Sequence, residues 1–410
     1  ESMKKYAFAG ASGRALNMFA LPMAREWKNN TALVGVYDVN PVRAGILSRE
    51  CGGVPIYEDF DLMILTGKPD VVIVTTVDAF HHDYIIRSLE AGCDVITEKP
   101  MTIDAEKCRD ILAAEKKSGK RVIVTFNYRF APYVTRIKEL LQEGLVGTVL
   151  SIDFEWILDT SHGADYFRRW HRHMANSGGL LVHKSTHHFD LINWWLEEDP
   201  EEVYAFGSRR FYGATRDERG ERCLTCGHRD TCTFFWDITK DPFMKKFYYE
   251  AEEQDGYYRD RCVFAQDIDI YDTMSVNVKY SRGALLSYSL VAHSPYEGWK
   301  AAINGSGGRL EVEEFHSGCR KGEPVQQIRY YSREGNIVTY EIAKDESGHG
   351  GGDERLRRML FAGESHDPLG HFADSRAGAM SILTGIASNI SIMEKKPVYI
   401  KDLMEQNEGK

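Results

Sequence analysis

Lys5-Tyr6-Ala7-Phe8-Ala9-Gly10-Ala11-Ser12-Gly13-Arg14-Ala15 is the stretch on which the fold turns. A short apolar run stops at a glycine, and small residues lead from there into a helical pattern over residues 14–28. A strand that turns through glycine into a helix points its amides at one spot beyond the sheet. An anion such as a pyrophosphate binds there. The stretch departs from G-x-G-x-x-G, because Ser12 holds the second glycine's place and Ala15 the third. Alanine is tolerated at the third, and Ser12 is small enough to approach a phosphate and donate its hydroxyl. Taken alone, these residues fit an ordinary strand-to-helix turn equally well. Asp38 adds a second signal. It ends the next strand, residues 33–37, where an acid accepts hydrogen bonds from adenosine ribose hydroxyls. Gly10, Ser12, Gly13, Arg14 and Asp38 together predict a dinucleotide site. NAD is favoured over NADP, since Asp38 repels a 2′-phosphate and Val39-Asn40-Pro41 offers no arginine; Arg43 is the nearest candidate.

Outward from this turn, short apolar runs alternate with helical patterns, the mark of a parallel sheet with crossover helices. Strands are predicted at 71–75, 94–97 and 121–126. Helices are predicted at 84–91 and at 105–118, the latter stopped by Gly119. After Asn127 the texture changes. A helix over 134–143 leads to an alternating strand over 149–157, a basic aromatic loop over 166–173 and a helix over 180–196. Residues 207–262 are rich in charge, aromatics and cysteine. Strands at 273–280 and 284–291 form a hairpin through Ser281-Arg282-Gly283. A strand at 310–313, a helix at 374–394 and a strand at 397–400 complete the pattern. The reading is an α/β protein: a Rossmann domain over 1–128, then an α+β domain over 129–410 carrying a cysteine-containing insertion at 207–262.

Bulk properties narrow the functions. A chain of 410 residues is long enough for two cores. Its 43% hydrophobic and 27% charged residues are ordinary globular values, and its net charge of −10 argues against nucleic-acid or acidic-membrane partners. No apolar run reaches a membrane span, and eight cysteines are too sparse for a secreted disulfide framework. A cytoplasmic location is expected.

Further motifs carry a family resemblance. Thr76-Val77-Asp78-Ala79-Phe80-His81, Leu89-Glu90-Ala91-Gly92, Glu98-Lys99-Pro100, Asn127-Tyr128-Arg129-Phe130-Ala131-Pro132, Trp170, Ser177-Gly178-Gly179 and His187 with Asp190 follow in order. The chain thus resembles the glucose–fructose oxidoreductase and inositol dehydrogenase (Gfo/Idh/MocA) family. The resemblance implies an open, mostly antiparallel sheet in the second domain, pairing through its outer face into homodimers or homotetramers. It also implies sugar or polyol substrates, Lys99 beside the nicotinamide and the reacting hydroxyl, and His187 as acid/base. Thr76, His81, Glu98, Asn127, Trp170 and Lys184 would line the cofactor. These residue types suit the chemistry. A carbinol carbon gives up hydride only as its hydroxyl proton leaves, so a base titrating near neutrality is needed. A lysine steadies the developing alkoxide.

Relatives commonly carry an aspartate four residues before the catalytic histidine; here His183 stands in that place. On one helix His183, His187 and Asp190 would share a face, making His183 a further catalytic candidate and His-x-x-x-His a possible metal pair. Arg168, Arg169 and Arg172 fit either substrate contacts or a solvated loop, and His349-Gly350-Gly351-Gly352-Asp353 either a substrate-covering loop or a plain turn. Cys223, Cys226, Cys232 and Cys262 have the composition of a structural zinc site, with free thiols the alternative. The expected activity is NAD-dependent hydride transfer at a secondary alcohol. Two alternatives are glycoside cleavage through transient oxidation by retained NAD, and a non-catalytic nucleotide sensor.

Overall fold

The computed structural model describes residues 3–322, 325–363 and 366–405. In chain order the strands are β1 (Lys4–Ala9), β2 (Thr31–Tyr37), β3 (Ile56–Tyr57), β4 (Val71–Val74), β5 (Asp94–Thr97), β6 (Val122–Val124), β7 (Val149–Asp159) and β8 (Pro200–Ser208). They continue as β9 (Thr273–Tyr280), β10 (Leu285–Ser294), β11 (Gly298–Gly305), β12 (Gly308–Phe315), β13 (Val325–Ser332), β14 (Ile337–Ala343), β15 (Ala373–Asp374) and β16 (Val398–Tyr399).

The first sheet runs β15-β6-β5-β4-β1-β2-β3, parallel except where β15 adds antiparallel to β6. All four residues of β4 are buried, as expected of a strand covered by helices on both faces. Asp104 caps the helix Ala105–Ser118 by accepting from the Lys107 amide at 2.8 Å, and Gly119 ends it in the left-handed region. Since β15 comes from the far end of the chain, the second domain reaches back to finish the first sheet.

The second sheet runs β14-β13-β12-β11-β7-β10-β9-β8-β16 and is antiparallel but for the β7–β10 pair. Its inner face stacks aromatic rings: Trp156 lies 4.2 Å from the His188 ring at 17° and Phe154 lies 5.3 Å from Trp299 at 11°. The helices Ser185–Leu196 and Ser375–Glu394 pack together, the first bringing His187 and His188 to this face and the second lying against β8.

Several expectations are corrected. The helix over 14–28 begins as a π-helical segment, Ala15–Ala20, and ends as the α-helix Leu21–Arg25. The helix over 180–196 breaks at Lys184 into Leu180–His183 and Ser185–Leu196. The strand over 397–400 shrinks to β16, followed by the helix Ile400–Glu405. Strands β8, β11, β13 and β14 had no clear sequence signature. In β11, alanines and glycines blur the alternation, and β14 is an edge strand whose apolar Ile337 and Val338 face solvent.

Candidate active site

The site lies beyond the carboxyl ends of β1, β2, β4 and β5, where ligands bind in open parallel sheets. Gly10 follows β1 with φ +100°, and a Cβ there would stand 2.8 Å from the Thr75 carbonyl carbon and oxygen. Only glycine fits so tight a turn. The Asp38 carboxylate accepts from the Ala11 amide at 2.6 Å and from the Asn40 amide at 2.7 Å. It is thereby fixed at the turn, with lone pairs left for a ribose. Ser12 Oγ accepts from the Ala15 amide at 3.1 Å, capping the first helix. A dinucleotide fits this donor and acceptor set: Ser12 for the pyrophosphate, Asp38 for the ribose.

At the end of β5, Glu98 accepts from Arg14 Nε at 2.9 Å, and Arg14 continues to Asp353 at 3.3 Å. The Arg14 side chain is therefore held by two carboxylates. His81 is buried with its ring between two carbonyls, 2.8 Å from Pro100 and 3.0 Å from Thr76. It braces the Thr76 turn against the Glu98-Lys99-Pro100 step and has no ring nitrogen left for a cofactor, which corrects its expected role. Asn127 Nδ2 donates to Asp353 at 2.5 Å, while its Oδ1 is buried without a partner.

Lys99 and His187 are both buried here. Lys99 Nζ donates to the His183 carbonyl at 3.0 Å, leaving two N–H bonds for other acceptors. Burial first, then Lys184, pull its pKa down to about 7 despite the carboxylates of Asp78 and Glu98. His187 is 2% exposed and neither ring nitrogen has a partner among the described residues. Its ring is framed by Phe126 at 6.2 Å, Tyr128 at 5.3 Å and His349 at 5.5 Å. Burial, then Lys99, His349, Lys184 and His188, hold its pKa well below the usual histidine value.

His183 behaves otherwise. Its Nδ1 lies 2.5 Å from Asp78 Oδ2, and its ring packs against Tyr166, Trp170 and His171. Burial pushes Asp78 up and His183 down, so the surroundings work against charge on either member of the pair. The shared face expected for His183, His187 and Asp190 is not formed. Asp190 instead takes two bonds from Arg129, at 2.6 and 2.7 Å. Trp170 stacks on His171 at 3.6 Å, and Lys184 lies over the Trp156 ring at 4.6 Å, toward the second sheet.

Sequence reasoning missed Asp78, Tyr128 and Tyr166 as site residues, although the first two lie inside quoted motifs. It also left the His349–Asp353 loop undecided. That loop packs on the Asn127–Phe130 turn: His349 Nδ1 is 3.1 Å from Asp353, and a Cβ on Gly352 would stand 2.1 Å from the Asn127 carbonyl oxygen. Of the basic residues, Arg168 donates to Cys223 Sγ at 3.2 Å and the Phe234 carbonyl at 2.5 Å, and Arg172 to Asp267 at 2.6 Å. Both are buried, so neither sits in a solvated loop. Arg169 lies close enough to Asp78 and His183 to influence both.

The insertion reaches the cofactor end. Tyr248 Oη accepts from the Gly13 amide at 3.3 Å, and Phe243 borders the same glycine. Its four cysteines line one small cavity but do not form the expected zinc site. Among the described residues no three His, Cys, Asp or Glu side chains stand close enough to hold a metal ion, which also removes the His-x-x-x-His reading. Arg168 donates to Cys223 and Arg216 to Cys232 at 2.9 Å, so guanidinium charge sits where a cation would go. All four thiols are free. Purified protein is expected to hold substoichiometric zinc and to keep its Tm in chelator. A full equivalent whose removal lowers Tm would restore the zinc site.

Comparison with known proteins bears on the whole chain. Residues 4–126 match the GFO_IDH_MocA family, described as an oxidoreductase family with an NAD-binding Rossmann fold, and residues 138–400 match its C-terminal alpha/beta domain. The Bacillus subtilis (strain 168) protein YteT, an oxidoreductase by name, is 41% identical over 98% of this chain and 99% of its own. D-glucoside 3-dehydrogenase of Escherichia coli (strain K12) is 33% identical, over 30% of this chain and 35% of its own. Among solved structures, the WlbA dehydrogenase from Chromobacterium violaceum, in complex with NADH and UDP-GlcNAcA, superposes with a TM-score of 0.68 at 20% identity, covering 97% of this chain and 96% of that one.

Proposed function

The chain belongs to the Gfo/Idh/MocA family of NAD(P)-dependent oxidoreductases, and from that premise we propose that it oxidises a secondary alcohol of a sugar or polyol, or reduces the ketone, using NAD. The observation that carries this reading is His187: a buried imidazole with both nitrogens unpartnered among the described residues, near enough to feel the charge of a lysine lowered to about 7. A buried imidazole kept neutral, beside a lysine brought near neutrality, is what removal of a hydroxyl proton requires.

Each residue has a distinct task. Lys99 binds the reacting hydroxyl and steadies its oxygen as charge develops. His187, kept neutral, takes the proton. Tyr128 and His349 wall the pocket and shield it from water. NAD, when bound, would supply the hydride acceptor, and Ser12 and Asp38 would hold its pyrophosphate and ribose. The outer face of the second sheet carries an open groove of about 1050 Å³, with Glu155, Lys300, Arg309 and Glu311 in its lining, and we propose this face as the one through which copies pair, as the family resemblance implies.

A second reading draws on the insertion. With Tyr248 and Phe243 against the Gly13 turn, the cofactor is covered and would stay bound between turnovers, as glycoside cleavage by transient oxidation requires. One screen separates the two. Sugars, polyols and their glycosides are incubated with the enzyme and NAD, and the keto forms with NADH, and both reduced-cofactor absorbance and released aglycone are followed. Net NADH formation from a free sugar or polyol is the expected result. Aglycone release without net NADH would select the second reading, and neither signal would overturn both.

A further inference from the structure

A strap from the insertion closes over the adenosine end of the cofactor site. Asn40 is fully buried and links three elements: its amide donates to Asp38 at 2.7 Å, and its Nδ2 donates to the Ala251 carbonyl and to Asp255 Oδ2, both at 2.9 Å. Asp255 thus stands one residue away from the ribose-binding carboxylate. It also forms an ion pair with Arg43, whose side chain is 9% exposed against 16% for Asp255. Arg43 lies on the helix Pro41–Glu50 that follows Asp38 and is the arginine best placed to receive a 2′-phosphate. Its Nη1 is buried and finds no partner among the described residues, while Asp255 offsets the charge of the guanidinium.

We propose that Asp255, a residue outside the Rossmann fold, is a cofactor-specificity residue. By pairing Arg43, it turns the site against a 2′-phosphate. A ribose needs no cation there, since its hydroxyls would donate to the Asp38 carboxylate. A phosphate monoester would meet that carboxylate and an arginine already taken. This inference rests on the NAD reading above and locates part of that selectivity in the insertion.

The test is titration of the full-length protein with NADH and NADPH, read by cofactor fluorescence, in wild type, Asp255→Asn, Arg43→Ala and the double variant. Asparagine keeps an acceptor for Asn40 while removing the charge. The ratio Kd(NADPH)/Kd(NADH) is expected to fall about tenfold or more in Asp255→Asn, the range of one charge-assisted hydrogen bond. The fall should vanish when Arg43 is also removed. Arg43→Ala alone should leave NADPH binding within about threefold, since its charge is already neutralised; this arm is independent of whether Asp255→Asn folds. An unchanged ratio in Asp255→Asn, an equal fall without Arg43, or a tenfold loss of NADPH affinity in Arg43→Ala would each overturn the proposal. A wild type that prefers NADPH would instead overturn the NAD reading, while the variant ratios would still report on Asp255.

Discussion

Replacing Lys99 by Met is expected to lower kcat/KM by about 10²–10⁴-fold, the range for a positioned proton-handling group, with NADH affinity changed by far less. Among the described residues Lys99 has one acceptor, the His183 carbonyl, which leaves two of its N–H bonds for the substrate oxygen. Its stability effect should run the other way. The folded pKa of about 7 lies below the unfolded value of about 10.4, so the unfolded chain binds this proton more tightly. The cost to stability is complete below pH 7 and is relieved as pH rises toward 10. Methionine removes the charge and the cost together, so Lys99→Met should have a Tm at pH 7 equal to or above that of wild type. Arginine cannot substitute, because its larger guanidinium stays charged. Steady-state rates, cofactor titration and thermal melts together decide the point. A variant within tenfold of wild-type turnover, or one with a clearly lower Tm, would remove Lys99 from the reacting hydroxyl.

Local patterns made the cofactor end readable, because the Gly10 turn, Asp38 and the Glu98-Lys99-Pro100 step each act within a few residues of one strand end. The helix carrying His187 was readable for the same reason. Partners brought in from a distance were not. Asp78 and His183 are 105 positions apart, so nothing local tells that a carboxylate awaits His183. The contacts of Tyr248 with Gly13 and of Asp255 with Arg43 join residues more than 200 apart, through an insertion with almost no regular strand or helix period. The cysteine spacing misled for a related reason. Spacing fixes how far sulfurs can be apart along the chain, but the arginines that meet Cys223 and Cys232 come from other segments or turns. His349 was ambiguous because a glycine-rich loop has no period, and only packing on Tyr128 sets it beside His187.

His187→Ala should cost about 10²–10⁴-fold in turnover, and the wild-type pH profile should show why. A base works when neutral, so the acidic limb of kcat/KM for oxidation falls where His187 gains its proton. Burial, together with Lys99, His349, Lys184 and His188, opposes that proton, and the limb is expected below the ordinary 6.5. Carboxylates able to oppose this effect are engaged elsewhere. Asp190 is bound by Arg129, Asp78 is bound to His183, and Asp353 lies among Arg14, Asn127 and His349. Lys184 offers a way to move the limb without touching the base. It lies over Trp156, its ammonium lowers the pKa of both His187 and Lys99, and Lys184→Met should therefore shift the limb upward, toward 6.5. Because His187 and Lys99 interact, the limb reports the pair rather than a single residue, and both members move in the same direction in this variant. An upward shift, whatever happens to the absolute rate, fits a base poised by surrounding positive charge. A downward shift, or none, would show that Lys184 does not set the base, and a wild-type limb well above 6.5 would show that a carboxylate supports His187 after all.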